Sequence, residues 1–141
     1  MRSLIAVLAL AGVIISTMAL RIHYSSDTEP CSINERWDCG VVNRSPYAVI
    51  GPVPVAAIGI AGYLLIGVLG LMRRRKLLAA CAGAGLAFSV YLTAIERYVL
   101  QVYCLYCVIS LAIISMIVAV SLMWVLTFSI RRRRLQNRMR M

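Results

Sequence analysis

Charge is scarce in this chain, and what there is has almost one sign. Five of the 141 residues are acidic against 15 lysines and arginines, and charged residues total 14%. Four long stretches carry none at all: Ser3 to Leu20, Ser45 to Met72, Leu77 to Ile95 and Tyr98 to Ile130. Ionisable side chains inside a bilayer mark ion and proton paths, so their lack near the centre of every stretch argues against a channel or transporter; Glu96 and Arg97 lie at the end of the third. The formal charge of +10 would suggest nucleic acid if the protein were soluble. Here the basic clusters abut apolar runs, where they anchor topology and meet anionic headgroups at about 1 kcal/mol per residue. The partner they imply is a lipid bilayer, not nucleic acid.

What fills the chain instead is apolar, 62% of it. A helix rising about 1.5 Å per residue crosses about 30 Å of hydrocarbon in roughly 20 residues. The expectation is an all-α integral membrane protein, a bundle of four transmembrane helices near 3–22, 52–72, 77–96 and 104–128 with an outer loop over 23–51. Residues 1–130 make one domain, and 131–141 a basic cytoplasmic tail, frayed and lipid-associated. Orientation follows from Arg2, the run Arg73, Arg74, Arg75 and Lys76, and the tail Arg131 to Arg134, Arg138 and Arg140. These hold 11 of the 15 positive charges, and basic residues beside spans stay cytoplasmic. Both termini are then inside, and Asp27, Glu29, Glu35, Asp38 and Glu96 fall on the outer face. The competing reading of the first span, a signal peptide cut after Thr17-Met18-Ala19, is disfavoured by an uncharged run of 18 residues, against about 7 to 15 for such segments.

Small residues predict packing seams: Gly59, Gly62, Gly67 and Gly70 on the second span, Ala79, Gly83 and Ala87 on the third. Cys81 sits among the latter as a buried, inert thiol. Tyr24, Tyr47, Tyr98, Tyr103 and Tyr106 fall near the outer boundary and Trp124 near the inner one, as an interfacial belt would. His23, the single histidine, reads as a boundary residue.

The remaining four cysteines fall as two outer pairs. Cys104-Leu-Tyr-Cys107 sets two thiols one turn apart where the fourth span begins, so that the first meets the positive end of the helix dipole and is favoured as thiolate. Cys31 and Cys39 flank a polar loop segment that includes Trp37. Alone, that pair would be a static staple worth about 2 to 3 kcal/mol by loop closure, and four cysteines could also make a zinc site. Two dithiol pairs within reach of each other in an oxidising compartment fit a thiol-disulfide relay, since exchange proceeds through mixed disulfides. The rival from another class is a non-enzymatic membrane scaffold with structural disulfides. Four cysteines allow three full pairings, and their number leaves the resting one open.

The offset from Cys31 to Cys39, the following Val41-Val42-Asn43-Arg44-Ser45-Pro46-Tyr47, the turn into Val53-Pro54-Val55-Ala56 with Gly59 and Tyr63, and Cys104-x-x-Cys107 together resemble the vitamin K epoxide reductase family in its bacterial and archaeal branch, over roughly residues 3–128. The resemblance implies a four-helix bundle around a quinone, capped by the first outer loop with a short half-helix, in the cytoplasmic (inner) membrane with its active site at the extracytoplasmic face. It implies that Cys31 exchanges with a thioredoxin-like protein, that Cys39 shuttles electrons to Cys104, and that Cys107 faces the quinone, of menaquinone, ubiquinone or phylloquinone type. The net result is reoxidation of the partner in support of disulfide formation. Tyr63, Ser45, Pro54 and Gly59 join Cys107 as quinone-site candidates, and no metal is expected. Some relatives carry a fused thioredoxin-like domain after the last span, whereas arginines follow here, so the partner is expected in trans. Leu111 stands where vertebrate members carry a tyrosine that contacts the quinone, which favours ordinary quinone reduction over the alternative, vitamin K epoxide reduction.

Overall fold

The computed structural model describes residues 1–25 and 31–140. The expected outer placement of Asp27 and Glu29 concerns residues outside that set, as does the tail's last residue. Four long helices dominate: α1 (Arg2–Tyr24), α3 (Val55–Leu71), α4 (Arg75–Ile95) and α5 (Leu105–Arg140), with a short α2 (Cys39–Asn43) between the first two. Of these, α1, α5 and α4 with its continuation to Leu100 are long and apolar enough to cross a membrane. The 17 residues of α3 rise only about 26 Å.

That shortfall has a local cause. A helix over 52–72 would need helical backbone at Val53, and the ring of Pro54 pushes the residue before it toward extended backbone. Residues 49–54 form a hairpin instead, β1 (Val49–Ile50) against β2 (Val53–Pro54), with Val49 opposite Pro54. Gly51 occupies the left-handed region at φ 62° in its turn. Pro54, buried, then caps α3. At the other end of the chain the expected frayed tail is helical, because α5 runs on to Arg140. Its Arg, Leu, Gln and Met residues are good helix formers, nothing from 105 to 140 is Gly or Pro, and cations suit a helix C-terminus.

The core runs down the middle of the bundle, with Ile5 and Ala9 of α1, Tyr63 and Ile66 of α3, Leu78 and Ala82 of α4, and Ile113, Ile114 and Ile117 of α5. Val7, Leu10, Leu64, Val68 and Leu126 point outward and are exposed, as side chains facing lipid would be. Lipid tails are as apolar as leucine, so contact between such helices depends on close packing. The α3 stripe provides it against α1: a side chain at Gly59 would meet Ser16, at Gly67 Ala9, and at Gly70 Ile5. Gly62 meets nothing, and neither does Gly83 of the expected α4 seam, where Gly85 against Ile114 takes the role. The closest approach is at Gly12 of α1, against which the Tyr63 ring lies.

At the arginine-rich end, Arg75 holds its guanidinium 3.7 Å from the centre of the Phe128 ring and 5.2 Å from that of Trp124. Its buried Nε has no hydrogen-bond partner among the described residues, so the ring faces supply the attraction. Arg2 donates to the Leu71 carbonyl (3.4 Å) at the end of α3.

The two glycines make a matched test. A methyl group at Gly12 would be driven into the Tyr63 ring, so Gly12→Ala should cost about 1 to 3 kcal/mol, typical of overpacking, and lower the unfolding temperature in detergent. Gly83→Ala fills open space and gains up to about 1 kcal/mol of helix propensity, so its midpoint should hold or rise. Equal shifts for the two variants would refute this account of the seam.

Candidate functional site

Two polar segments meet at the cysteine-rich end of the bundle. In the first, Asn34 and Trp37 close a tight turn: Trp37 N–H donates to the Asn34 carbonyl (3.1 Å), and Ile33 N–H to that of Trp37 (3.0 Å). Asp38 then caps α2, its carboxylate accepting from Gly40 N–H (2.8 Å) and Val41 N–H (3.1 Å). This is ordinary helix-start chemistry, and it fixes Cys39 as the first residue of α2. The second segment leads into α5. Tyr103 N–H donates to the Arg36 carbonyl (2.7 Å), Asp38 N–H to that of Tyr103 (3.1 Å), and the Trp37 and Tyr103 rings lie 5.5 Å apart.

The clamp seats Cys39 beside Cys104. Cys31 and Cys39 form a disulfide with Cα atoms 5.5 Å apart, and the Cys104 thiol contacts Cys39 Sγ at 3.3 Å. All three sulfurs lie within 4.8 Å of one another and are buried. Three free thiols so placed could hold a soft cation; bonded to each other, Cys31 and Cys39 present Cys104 with a disulfide in exchange range. One turn along α2, buried Asn43 donates from Nδ2 to the Cys39 carbonyl (2.9 Å) and to Cys104 Sγ (3.4 Å). The Asn43 carbonyl is 2.5 Å from His23 Nδ1. Since a carbonyl only accepts, the proton belongs on that nitrogen, and His23 ties the end of α1 to α2.

On the α5 side, α4 widens into a π turn over Glu96–Leu100, and Gln101 follows in the left-handed region at φ 56°. Cys104 immediately precedes α5. Its carbonyl accepts from Val108 N–H (3.1 Å), and its own N–H donates to Glu96 Oε2 (3.1 Å). The thiol is therefore at the positive end of the helix, as its spacing predicts. The Cys107 thiol donates to it and holds it below the ordinary thiol range against burial and the nearby Glu96 carboxylate, with a lesser contribution from Asn43. Of the pair, Cys104 is the one favoured as thiolate.

A cavity of about 430 Å³ lies beside Cys107 between the long helices, lined mainly by apolar side chains and by Ser16, Ser45, Gly59, Tyr63 and Ser110. Of the quinone-site candidates, Cys107, Tyr63, Ser45 and Gly59 line it. Pro54 does not, being used as the cap of α3. The Tyr63 hydroxyl donates to the Ser110 carbonyl (2.9 Å) and lies 2.8 Å from the Ser110 hydroxyl. Leu111 packs against the bundle core, so its neighbour Ser110 takes the cavity side. Cys81 also lines the cavity and is only partly buried. Three tyrosines expected in the belt belong here instead, Tyr47 and Tyr106 in the lining and Tyr103 against Trp37, while Tyr24 and Tyr98 are exposed.

Sequence reasoning gave no role to Asn43, Ser110 or Glu96. Asn43 is four residues after Cys39 and Ser110 three after Cys107, each one helical turn away and so on the same face. Glu96 had the plainest signal, as the one acid adjoining an apolar run.

The Cys104 thiolate offers a pH test. Hydrogen bonds to a thiolate favour the charged form, so removing the donor in Cys107→Ala should move the Cys104 titration to higher pH, and Asn43→Ala should do so less. With Cys81→Ser as background and the Cys31–Cys39 bond kept, thiolate absorbance against pH reports it. A midpoint that stays put or falls would rule out this origin of the depressed value.

No curated protein matches the chain significantly. The vitamin K epoxide reductase family matches residues 3–130, a range that takes in both cysteine pairs, the cavity and all but the last turns of α5. The chain belongs to the vitamin K epoxide reductase family, whose members are oxidoreductases.

Proposed function

We propose that this protein is a quinone-dependent thiol-disulfide oxidoreductase of the cytoplasmic membrane that reoxidises an extracytoplasmic thioredoxin-like protein acting in trans. One observation carries the reading: Cys104 Sγ is 3.3 Å from Cys39 Sγ, while Cys107, a turn along α5, lines the apolar cavity. A purely structural staple between Cys31 and Cys39 has no need of a third sulfur at that range.

The steps follow from thiol-disulfide exchange. A partner thiolate attacks Cys31, releasing Cys39 as thiolate, and the partner's second thiol then resolves the mixed disulfide, leaving Cys31 and Cys39 reduced. Cys39 attacks Cys104 of a Cys104–Cys107 disulfide and expels Cys107. Cys31 attacks Cys39 in turn, restoring Cys31–Cys39 and freeing Cys104. Two electrons have moved inward, and this end state is the arrangement described above, with the loop pair bonded and Cys104 and Cys107 free. Cys31 is only 1% exposed, so the partner reaches it when the 31–38 segment lifts.

The cavity suits a quinone: apolar walls match the ring, and the Tyr63 and Ser110 hydroxyls and the small residue Gly59 supply polar contacts and room. Bound there, a quinone supplies the two-electron sink that returns Cys104 and Cys107 to a disulfide. Leu111 offers no hydroxyl, and ordinary quinone reduction is preferred to epoxide reduction. The basic clusters at Arg2, Arg73 to Lys76 and Arg131 to Arg140 support four spans, α3 included, with both termini cytoplasmic.

Cys107→Ala should reduce quinol formation to background, followed by quinone absorbance in detergent with a reduced thioredoxin-like donor, while exchange with that donor continues. Cys31→Ala should strand a Cys39–Cys104 disulfide that peptide mapping detects. Quinone turnover intact without Cys107 would sink the assignment.

A further inference from the structure

Glu96 is 2% exposed, and no salt bridge reaches it among the described residues. The adjacent cation is engaged elsewhere, since exposed Arg97 donates to the Tyr103 hydroxyl (3.3 Å) and lies over Tyr98. One carboxyl oxygen, Oε2, accepts from Cys104 N–H. The other, Oε1, is buried without a hydrogen bond of ordinary geometry, though the side chain borders the cavity and interacts with the Cys107 thiol. A carboxylate removed from water with no cation beside it is costly, and the counter-charge left to it is a proton. The Cys107 thiol beside it has a proton to give up.

We propose that Glu96 is the proton acceptor for the Cys107 thiol and passes that proton into the cavity. The inference rests on the relay reading, and the balance is as follows. Oxidation of the pair forms the Cys104–Cys107 bond and releases two electrons. Cys104 enters as thiolate, so one proton must leave, from Cys107. Glu96 takes it on the carboxyl that faces the thiol. The electrons go to a quinone, and the two protons the resulting quinol requires come one from Glu96 and one from water. Glu96 ends as it began. The Oε2 bond to Cys104 N–H holds the carboxyl at the redox pair through the cycle.

Infrared difference spectra between the Cys104–Cys107 disulfide and dithiol forms, recorded without quinone, test the proton directly. A carboxyl signal that follows redox state, is lost in Glu96→Gln and survives in Glu96→Asp is the expected result. In single-turnover quinol formation Glu96→Gln should slow by roughly a hundredfold or more, the usual worth of a general base, with Glu96→Asp in between. The unfolding temperature of Glu96→Gln in detergent should stay close to wild type, because glutamine can still accept the Cys104 N–H, so slowed quinol formation would not come from misfolding. A carboxyl signal indifferent to redox state, or quinol formation in Glu96→Gln as fast as in wild type, would overturn the proposal and leave Glu96 as a backbone anchor. Wild-type protein that reduces no quinone while the carboxyl still follows the dithiol would remove the proposed function instead and uphold the thiol-to-carboxyl transfer.

Discussion

Two backbone hydrogen bonds hold the chemistry of this protein together, Tyr103 N–H to the Arg36 carbonyl and Asp38 N–H to the Tyr103 carbonyl. Cys31 and Cys39 are eight residues apart and Cys104 and Cys107 one helical turn, so each pair is arranged locally. Cys39 and Cys104 are separated by 65 residues, and the contact between their polar segments brings them together. At the end of a membrane bundle, segments of irregular backbone must satisfy their donors and acceptors with one another or with water. Here they do so in a way that also fixes the spacing of three sulfurs. Each such bond is worth about 0.5 to 1.5 kcal/mol net, and the Trp37 and Tyr103 rings add to it. That sum is enough to hold a resting contact and small enough for a binding partner to lift.

Much of the bundle is legible from residues alone because the constraint on it is simple. A stretch without charge has few choices other than a helix in lipid, and glycines at helical spacing mark where another helix comes close; Gly59, Gly67 and Gly70 do this against α1. What escapes such reading is decided by geometry between elements. Gly62 and Gly83 obey the same spacing and face open space, because a stripe wider than one neighbour must leave part of itself uncovered. Pro54 belongs to the motif that identifies the family, yet its rigid ring is spent starting α3. Neither outcome is written in the periodicity.

The site shows the same division. The four cysteines are evident from residue type and spacing, and the groups that tune them are not. Asn43 looks like one polar residue in a polar loop until α2 turns its amide back on Cys39 and Cys104. Ser110 and Leu111 are adjacent, and a rotation of about 100° per residue decides which faces the cavity. His23 reads in the sequence as a boundary residue, and its hydrogen bond to the Asn43 carbonyl could not be foreseen from 20 residues away.

The groups around Cys104 also bear on direction. In the proposed relay the Cys39–Cys104 mixed disulfide can be resolved in two ways. Cys31 can attack Cys39 and expel Cys104, which moves electrons forward, or Cys107 can attack Cys104 and expel Cys39, which returns them. The thiol of lower pKa leaves faster. Cys104 has the start of the long α5, the Cys107 thiol and the Asn43 amide to support it as thiolate, whereas Cys39 starts only the five-residue α2 and Asn43 reaches its carbonyl, not its sulfur. These contacts favour departure of Cys104, so that within the proposed relay the mixed disulfide resolves toward the cavity.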